Sequence, residues 1–329
     1  MKTVLVAFLS LASLVASAAQ PEIVSVQKIW DQGAHNAFTD IIRFQDRWFC
    51  CFREAAAHVG GDGELRILES ADGERWQSAA LLVETGIDLR DPKLSITSAG
   101  QLMLVAGGSI YRGTKKLQGA QPRVAFSKDG RDWSSPRQVL VNGEWLWRVT
   151  WHEGQAYGVS YHVALQSPDS RPPLQLFRSA NGSDWKSLAT FDLTGFPNEA
   201  TLRFLRDGTA LMLVRRDASD QGAWIGSSRA PYSDWKFTPT PVRIGGPNFI
   251  ELPDGTLVAS GRDYAAGKVT CALFEMTHDS LKSVLALPSG GDCSYPGLVW
   301  HDGWLWVSYY SSHEGKSSIY LAKVKWPLR

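Results

Sequence analysis

The chain has 329 residues, of which 44% are hydrophobic and 20% charged, a balance typical of a folded globular protein and not of a disordered or fibrous one. Its 34 basic and 33 acidic side chains give a formal net charge of +1, which excludes a bulk electrostatic attraction to nucleic acid or to an anionic membrane. The 14 Trp residues against 4 Met residues favour rigid β-rich packing over helical bundles.

The first segment has the pattern of a cleaved signal peptide. Met1-Lys2 supplies a positive n-region, residues 4–15 an apolar h-region, and Ala16-Ser17-Ala18 a small-residue cleavage site. This h-region is too short to span a bilayer of ~30 Å, and no later segment approaches ~20 apolar residues. The sequence therefore predicts a signal peptide over residues 1–18, a single domain over residues 19–329, secreted or periplasmic localisation and no membrane span.

A turn signature recurs along the chain at intervals of about 50 residues, a period typical of propellers and solenoids. The pattern Ser-x-Asx-Gly-x-x-Trp starts at Ser70, Ser127 and Ser179, and a degenerate copy runs from Ser228 to Trp235. Glycine tolerates a positive φ and Asp or Asn caps its own backbone, so each copy predicts a hairpin turn. The Trp is expected to pack each turn against its neighbour.

A second series of hairpins alternates with the first. Short apolar or alternating runs flank turns at Asp46-Arg47, Gly100, Glu153-Gly154, Asp207-Gly208, Asp254-Gly255 and Asp302-Gly303. Six such hairpins, with no amphipathic helical stretch between them, predict an all-β fold. The expected architecture is a six-bladed β-propeller with four-stranded antiparallel blades.

The ends of these hairpin strands are expected to meet at the mouth of the central channel. Residues that leave the second strand are Arg53, Gly107, Tyr161, Arg215, Arg262 and Tyr310, and residues that begin the first strand are Asp40, Asp91, Arg148, Glu199, Asn248 and Tyr295. Each charged residue taken alone is more often a solvated strand end. Arginines gathered in one concave site, however, favour an anionic ligand and carboxylate neighbours.

At these residues the sequence resembles the sialidase (neuraminidase) superfamily of six-bladed propellers. The turns are similar to that family's Asp boxes, each one residue shorter and without the Thr. The segment Asn198-Glu199-Ala200, followed by Arg215, is similar to the segment that holds the catalytic glutamate and a clamp arginine, and residues 293–298 are similar to the segment with the nucleophilic tyrosine. Arg262 would be another clamp arginine.

The first blade departs from the family pattern. Sialidases begin it with Phe/Tyr-Arg-Ile-Pro, whereas residues 35–40 contain no arginine. Arg53, at the end of the next strand, is the candidate replacement. The acid/base position would fall on Asp62, with His58 as a rival, although Gly-Asp-Gly is also a turn signature.

The resemblance implies an exported exo-glycosidase that hydrolyses a terminal acidic sugar, sialic acid or a relative, with retention. Tyr295 would be the nucleophile, Glu199 its base and Asp62 the acid/base. The substrate would be bound by Arg53, Arg215, Arg262, Asp91, Arg148 and His58. A neutral tyrosine avoids the repulsion between a carboxylate nucleophile and an anionic sugar. No cofactor or metal is expected, and the partner is a carbohydrate.

Two other classes of function fit the same residues. A propeller polysaccharide lyase would also need arginines to neutralise a uronate, with His58 or Tyr295 as base. A non-catalytic carbohydrate-binding propeller would need the turns but would give Glu199 and Tyr295 no special role.

The four cysteines show no metal-ligand spacing. Cys50 and Cys51 lie next to each other in an apolar strand and are interpreted as buried small hydrophobes. A disulfide between Cys271 and Cys293 is compatible with an oxidising compartment, and the sequence leaves it open.

Overall fold

Strands account for almost all of the regular structure. The computed structural model describes residues 19–163, 173–217 and 222–328, and within these ranges 24 β-strands form six four-stranded antiparallel sheets. The predicted signal peptide, residues 1–18, lies outside the described residues. The described ranges contain one turn of 3₁₀ helix, at Ala265–Gly267, and no helix there is long and apolar enough to cross a membrane.

Four strands that follow one another in the chain form each of the first five blades. The first strand of the described residues is β1 (Glu22–Trp30), which belongs to the last blade. Blade 1 comprises β2 (His35–Phe44), β3 (Arg47–Ala55), β4 (Glu64–Ser70) and β5 (Gln77–Leu82). Blade 2 comprises β6 (Asp88–Ile96), β7 (Leu102–Ile110), β8 (Gly119–Ser127) and β9 (Arg137–Gln138). Blade 3 comprises β10 (Glu144–His152), β11 (Gln155–His162), β12 (Leu174–Ser179) and β13 (Lys186–Phe191).

The remaining blades complete the ring and confirm the predicted six-bladed architecture. Blade 4 comprises β14 (Pro197–Phe204), β15 (Ala210–Arg216), β16 (Trp224–Ser228) and β17 (Lys236–Pro239). Blade 5 comprises β18 (Ile244–Glu251), β19 (Leu257–Asp263), β20 (Thr270–Met276) and β21 (Leu281–Ala286). Blade 6 comprises β22 (Cys293–His301), β23 (Trp304–Ser311), β24 (Ser318–Lys325) and β1.

The first described strand closes the ring. It pairs antiparallel with β24, with Glu22 opposite Lys325 and Trp30 opposite Ile319. Strands from the two ends of the described chain therefore share one sheet, and only the outer strands of the blades remain as edges.

The innermost strand of every blade carries a β-bulge at the same position. The innermost strands β2, β6, β10, β14, β18 and β22 contact one another around the ring. In each of them two residues oppose one residue of the next strand, and these pairs are Phe38-Thr39, Asp91-Pro92, Trp147-Arg148, Asn198-Glu199, Gly246-Pro247 and Tyr295-Pro296. A bulge re-aims side chains next to it. The six bulges thus place unlike residues at the same position of every innermost strand.

The four cysteines are free thiols buried in the strands. Cys271 and Cys293 lie in β20 and β22 and form no disulfide. Burial raises the pKa of the Cys50 and Cys271 thiols, so both stay protonated and act as small apolar groups.

Candidate active site

A hydrogen-bonded tyrosine–glutamate pair lies at the bulge end of the channel. The Tyr295 hydroxyl donates to Glu199 Oε1 at 2.5 Å, although 96 residues separate the two in sequence. Both side chains are buried, with relative exposures of 9% for Tyr295 and 5% for Glu199. The bulges of blades 4 and 6 therefore bring together the two residues that the sequence predicted as base and nucleophile.

Two further donors fix the Glu199 carboxylate. Arg215 Nη1 donates to Oε1 at 2.8 Å, and the Gly246 amide donates to Oε2 at 2.8 Å. Burial alone would raise the pKa of Glu199, but Arg215, the Tyr295 hydroxyl and the Gly246 amide outweigh it and hold the pKa below its ordinary value. Glu199 is therefore ionised at neutral pH and can accept a proton from Tyr295.

Gly246 is required where it stands. Its φ is +60°, and a Cβ at this position would lie 2.9 Å from the Tyr295 ring. A side chain would be strained in this backbone conformation and would push the phenol away from Glu199.

Aromatic rings and cations surround the Tyr295 phenol. The ring centroid of Phe38 lies 5.0 Å away and that of Trp147 5.4 Å away, and Lys93 Nζ lies 5.6 Å from the Tyr295 centroid. Burial raises the pKa of Tyr295 well above its ordinary value, and the charges of Glu199 and Asp91 raise it further. Tyr295 is therefore neutral in the free protein and needs a base in order to attack.

Three arginines act on the Tyr295 hydroxyl electrostatically: Arg90, Arg215 and Arg262. Arg262 donates through Nη2 to the Tyr310 hydroxyl at 3.1 Å and through Nε to the Cys293 carbonyl at 2.8 Å. Blades 2, 4 and 5 thus each direct one guanidinium towards this region.

Arg90 was not among the arginines that the sequence predicted for the site. Its guanidinium lies over the Phe38 ring, 5.0 Å from the centroid, and it donates to Asp88 Oδ2 at 3.2 Å and to the His58 carbonyl at 2.9 Å. Phe38 lies in the blade 1 segment of residues 35–40, which contains no arginine. The available signal was the Arg90-Asp91-Pro92 run at the start of an inner strand.

Arg53, the expected replacement, lies in the interior. Its Nε donates to Asp88 Oδ1 at 2.6 Å and its Nη1 to the Ala57 carbonyl at 2.8 Å, and its side chain is 0% exposed. The loop after β3 covers it, since a Cβ on Gly63 would lie 2.4 Å from Arg53 Nε. Arg53 therefore cannot reach a substrate, and it positions the carboxylate that also binds Arg90.

Asp91 occupies the bulge of blade 2 with an incompletely satisfied carboxyl group. Its φ is +51°, it is buried, and its Oδ1 has no hydrogen-bond partner in the structure. Burial raises the pKa of Asp91, although Arg90 and Lys93 oppose the shift. Glu199 acts electrostatically on Asp91, and Asp91 acts on Tyr295. A raised pKa favours the protonated form of the carboxyl group, which is the form that a proton donor needs.

Asp62, the sequence candidate for the acid/base, is exposed on the loop between β3 and β4. Its Oδ2 accepts a hydrogen bond from the Gly86 amide at 3.1 Å. No contact described in residues 19–163, 173–217 and 222–328 joins it to Tyr295 or Glu199. The acid/base role of Asp62 therefore stays a prediction from the resemblance.

A second polar cluster adjoins the pair and was not visible in the sequence spacing. His35 Nε2 and His58 Nδ1 both contact Asp292 Oδ2, at 2.9 and 2.7 Å, and the Tyr310 hydroxyl donates to Asp292 Oδ1 at 2.8 Å. The ligand atoms of the two histidines and Asp292 lie within 4.8 Å of one another, a donor set that suits a transition metal. Arg262 Nη2, 3.9 Å from Asp292 Oδ1, already supplies positive charge there.

Arg148 does not reach the bulge end of the channel. Its Nη1 donates to Asp40 Oδ2 at 2.8 Å, and both side chains are 2% exposed. The ion pair lies in the channel interior, so Arg148 is separated from the substrate position expected for it.

A cavity of about 160 Å³ opens beside Glu199 and Arg215. Tyr161, Asn198 and Asp217 also line it. Asn198 Nδ2 donates to Asp217 Oδ2 at 2.7 Å, and Arg215 Nη2 lies 3.1 Å from Asp217 Oδ1. The cavity therefore presents carboxylate, amide and guanidinium groups, which suit the hydroxyls of a sugar.

Comparisons with known proteins find likeness in structure only. No family model and no curated protein matches the sequence. A Dyadobacter fermentans protein of unknown function superposes with a TM-score of 0.81 at 16% identity, covering 94% of this chain and 100% of its own. An α-L-arabinofuranosidase from Fusarium graminearum, bound to an iminosugar inhibitor, has a TM-score of 0.69 at 13% identity, with coverages of 92% and 98%.

The third comparison is with the Trypanosoma rangeli sialidase bound to sialic acid, at a TM-score of 0.69 and 11% identity. The match covers 93% of this chain and 59% of the sialidase, so the chain spans little more than half of that protein. At such identities these likenesses establish the fold. The chain has a six-bladed propeller fold that it shares with glycoside hydrolases.

Proposed function

We propose that the protein is an exo-acting retaining glycosidase that removes a terminal acidic sugar, with Tyr295 as nucleophile. The observation that carries this proposal is the buried 2.5 Å hydrogen bond from the Tyr295 hydroxyl to Glu199, within reach of Arg90, Arg215 and Arg262. A structural tyrosine does not need an ionised, buried carboxylate aimed at its hydroxyl.

In the first step the Tyr295 oxygen bonds to the anomeric carbon while Glu199 takes the phenol proton. The bond to the leaving group breaks, and Asp91 gives its proton to the departing oxygen. In the second step the Asp91 carboxylate removes a proton from water, which attacks the anomeric carbon. The bond to Tyr295 breaks and Glu199 returns the proton to the phenolate, so two inversions give net retention.

The arginines explain why an acidic sugar suits this site. A carboxylate on the anomeric carbon would repel a carboxylate nucleophile, whereas a neutral tyrosine meets no such repulsion. Arg90, Arg215 and Arg262 can each pair with that carboxylate. The likeness to the T. rangeli sialidase supports this choice of substrate class.

A neutral sugar is the second candidate, and a specific observation favours it. Each arginine already binds a protein acceptor, namely Asp88 for Arg90, Glu199 for Arg215 and the Tyr310 hydroxyl for Arg262. An anionic substrate must compete with these acceptors. The F. graminearum arabinofuranosidase, of similar fold, supports testing a pentofuranoside.

Activity on a panel of aryl glycosides decides between these candidates. The panel contains α-sialosides, glucuronides and α-L-arabinofuranosides, and we expect the α-sialoside to be the best substrate. A fluorinated sugar that slows the second step should leave a covalent adduct, located on Tyr295 by peptide mass spectrometry. A product that absorbs in the near ultraviolet would instead indicate a lyase, and binding without turnover would indicate a carbohydrate-binding propeller.

The matched control is another buried tyrosine. Tyr309 donates its hydroxyl to the Pro288 carbonyl at 2.9 Å and lies outside the site. Tyr295→Phe should abolish adduct formation and Tyr309→Phe should not. An adduct on Glu199 or Asp91 would contradict the tyrosine mechanism.

Export remains part of the proposal. The residues that predict it, 1–18, carry the n-region, h-region and cleavage pattern. Protein recovered outside the cytoplasm should begin near Ala19 when its N-terminus is sequenced. An intact Met1 on that protein would contradict cleavage.

A further inference from the structure

Three cationic side chains lie inside the propeller channel, beyond Tyr295: Lys93, Arg148 and Arg203. Lys93 is buried, and its Nζ donates to the carbonyls of Pro92 at 3.1 Å and Thr39 at 3.4 Å. Its position over the Trp147 ring, 5.0 Å from the centroid, gives it a further neutral partner. No anion compensates Lys93 by direct contact within the described part of the chain.

Arg203 has the same lack of a charged partner. Its Nη2 donates to Asn248 Oδ1 at 2.9 Å, its Nε to the Phe249 carbonyl at 3.0 Å and its Nη1 to Thr150 Oγ1 at 3.5 Å. Burial lowers the pKa of Arg203 to about 9. The positive charge of Arg148 lowers this pKa further, and the negative charge of Asp40 opposes the shift. Arg148 and Arg203 line the same cavity, and their guanidinium groups repel each other.

Asp40 is the carboxylate that acts on both guanidiniums. Its Oδ2 accepts from Arg148 Nη1 at 2.8 Å and from the Leu94 amide at 2.9 Å. Arg148 Nε is buried and has no hydrogen-bond partner in the structure. One carboxylate thus faces two guanidiniums, and a donor of one of them is unused.

A cavity of about 300 Å³ opens onto this group. Asp40, Arg148 and Arg203 line it together with apolar residues late in the innermost strands, including Ile42, Phe204 and Leu298. Tyr295 lies early in its strand, whereas most of the lining residues lie late in theirs, so this cavity is towards the opposite end of the channel. Arg148, although a bulge residue, directs its side chain to this end. Glu251 also lines it, and its Oε2 accepts from the Arg206 amide at 2.9 Å.

We propose that this cavity binds a small inorganic anion of chloride size between Arg148 and Arg203. An anion there would accept from the guanidiniums, offset their repulsion and leave the Arg148–Asp40 pair intact. The site is independent of the glycosidase proposal, since it lies at the other end of the channel and contains none of the proposed catalytic residues.

Thermal unfolding in sodium chloride against sodium gluconate, at constant ionic strength, tests the proposal. An anion that binds only the folded state raises the midpoint with its concentration. We expect a saturable rise of roughly 2–4 °C with chloride in the wild type, and gluconate is too large to substitute. A parallel series with phosphate distinguishes an oxyanion from a halide as the preferred occupant.

Arg203→Gln should lose the chloride dependence, and Arg178→Gln should keep it. Arg178 is an exposed strand residue of blade 3 and serves as the matched loss of one arginine. Equal chloride responses in the wild type and Arg203→Gln would overturn the proposal. If Arg203→Gln fails to fold, anomalous diffraction from wild-type crystals grown in bromide decides: a bromide peak between Arg148 and Arg203 supports the site, and a cavity without one overturns it.

Discussion

The serine–tryptophan turns and the inner-strand bulges both repeat around the propeller. The turns repeat a sequence of residue types, whereas the bulges repeat a backbone register shift. The turns at Ser70–Trp76, Ser127–Trp133 and Ser179–Trp185 keep the same residue types at the same places. The bulges keep the same register shift and change the side chain in every blade. The comparison separates a repeat that stabilises the fold from a repeat that builds a site.

In the first two turns, the recurring Ser, Asp, Gly and Trp residues bond to neighbours in the sequence. The Gly130 amide donates to Ser127 Oγ at 2.8 Å, the Arg131 amide to Asp129 Oδ1 at 2.9 Å, and Trp133 Nε1 to the Gly130 carbonyl at 2.9 Å. The first turn has the same bonds at Gly73, Glu74 and Trp76. Because the bonds of the Ser, Asx, Gly and Trp positions join residues two or three apart, a short sequence is enough to form the turn.

In the bulges, the partners lie in other blades. Tyr295 of blade 6 bonds to Glu199 of blade 4, which bonds to the Gly246 amide of blade 5. The bulge has the same backbone register in every blade, so the side chain that it carries can differ without a change in the fold. The proposed site thus depends on side chains that differ from blade to blade, whereas the turns depend on the same residue types in each copy.

The largest effect should come from removing the bulge pair. Glu199→Gln and Tyr295→Phe should each lower kcat about 10²- to 10⁴-fold, since both disable the same proton transfer. The double variant should be little worse than the worse single variant. Steady-state kinetics on the best glycoside measure this, with circular dichroism as the check on folding. Multiplicative losses would mean that the two residues act separately.

Asp91→Asn should lower kcat/KM about 10²-fold on substrates with poor leaving groups and much less on activated aryl glycosides. The pKa of Asp91 is raised, so the donor is protonated below that value and activity falls as pH rises through it. The variant should lose this alkaline limb of the pH–rate profile.

Asp62→Asn is the control for Asp91→Asn and should keep the alkaline limb of the pH–rate profile.

The contribution of Asp91 to folding stability should also fall as pH rises. A raised folded-state pKa contributes stability below the unfolded-state value, and that contribution is lost as pH rises through the folded-state value. An unchanged pH profile in Asp91→Asn would return the acid/base role to another residue.

Trp133→Ala should destabilise the fold without changing the activity of the folded protein. Trp133 is half-buried against apolar residues of blades 1 and 2, so we expect a loss of about 2 to 4 kcal/mol in the free energy of unfolding. Urea unfolding measures the loss, and activity per folded molecule should match the wild type. A selective loss of activity at full stability would mean that the turns contribute to the site.

The smallest effect is expected at the Asx position of a turn. Asp129 Oδ1 accepts from two backbone amides, so Asp129→Ala should cost about 1 kcal/mol of unfolding free energy. These amides lower the pKa of Asp129, so its contribution is present above the unfolded-state pKa and is lost as pH falls through the folded-state value.

Asp129→Asn should remain close to the wild type at neutral pH, because Asn181 accepts from the equivalent amides of the third turn. Thermal unfolding as a function of pH distinguishes the two variants. An equal loss in Asp129→Asn and Asp129→Ala would show that the charge, and not the acceptor geometry, stabilises the turn.

The sequence by itself determined the six blades, because turn residues and strand alternation act over short distances along the chain. Turn glycines with positive φ and flanking apolar runs specify hairpins wherever they occur. The position of each residue within its hairpin also predicted Glu199, Tyr295, Arg215 and Arg262 at one end of the channel. The same rule placed Asp40 and Arg148 there, but these two form an ion pair in the channel interior. The use of β1 to close blade 6 was not predicted, because no local sequence pattern in β1 indicates that it pairs with β24, about 300 residues away.

Only the tertiary structure decided which arginines lie near the Tyr295 phenol and which lie in the interior. Arg53 and Arg262 stand at equivalent strand positions, each opposite the residue before a bulge. Arg53 is buried because the loop after β3 folds over it and Asp88 pairs with it, while Arg262 stays beside Tyr295. His35, His58 and Asp292 likewise come from three distant segments. Whether a guanidinium reaches a ligand or an interior carboxylate depends on neighbouring blades and covering loops, and these long-range contacts leave no periodic trace in the sequence.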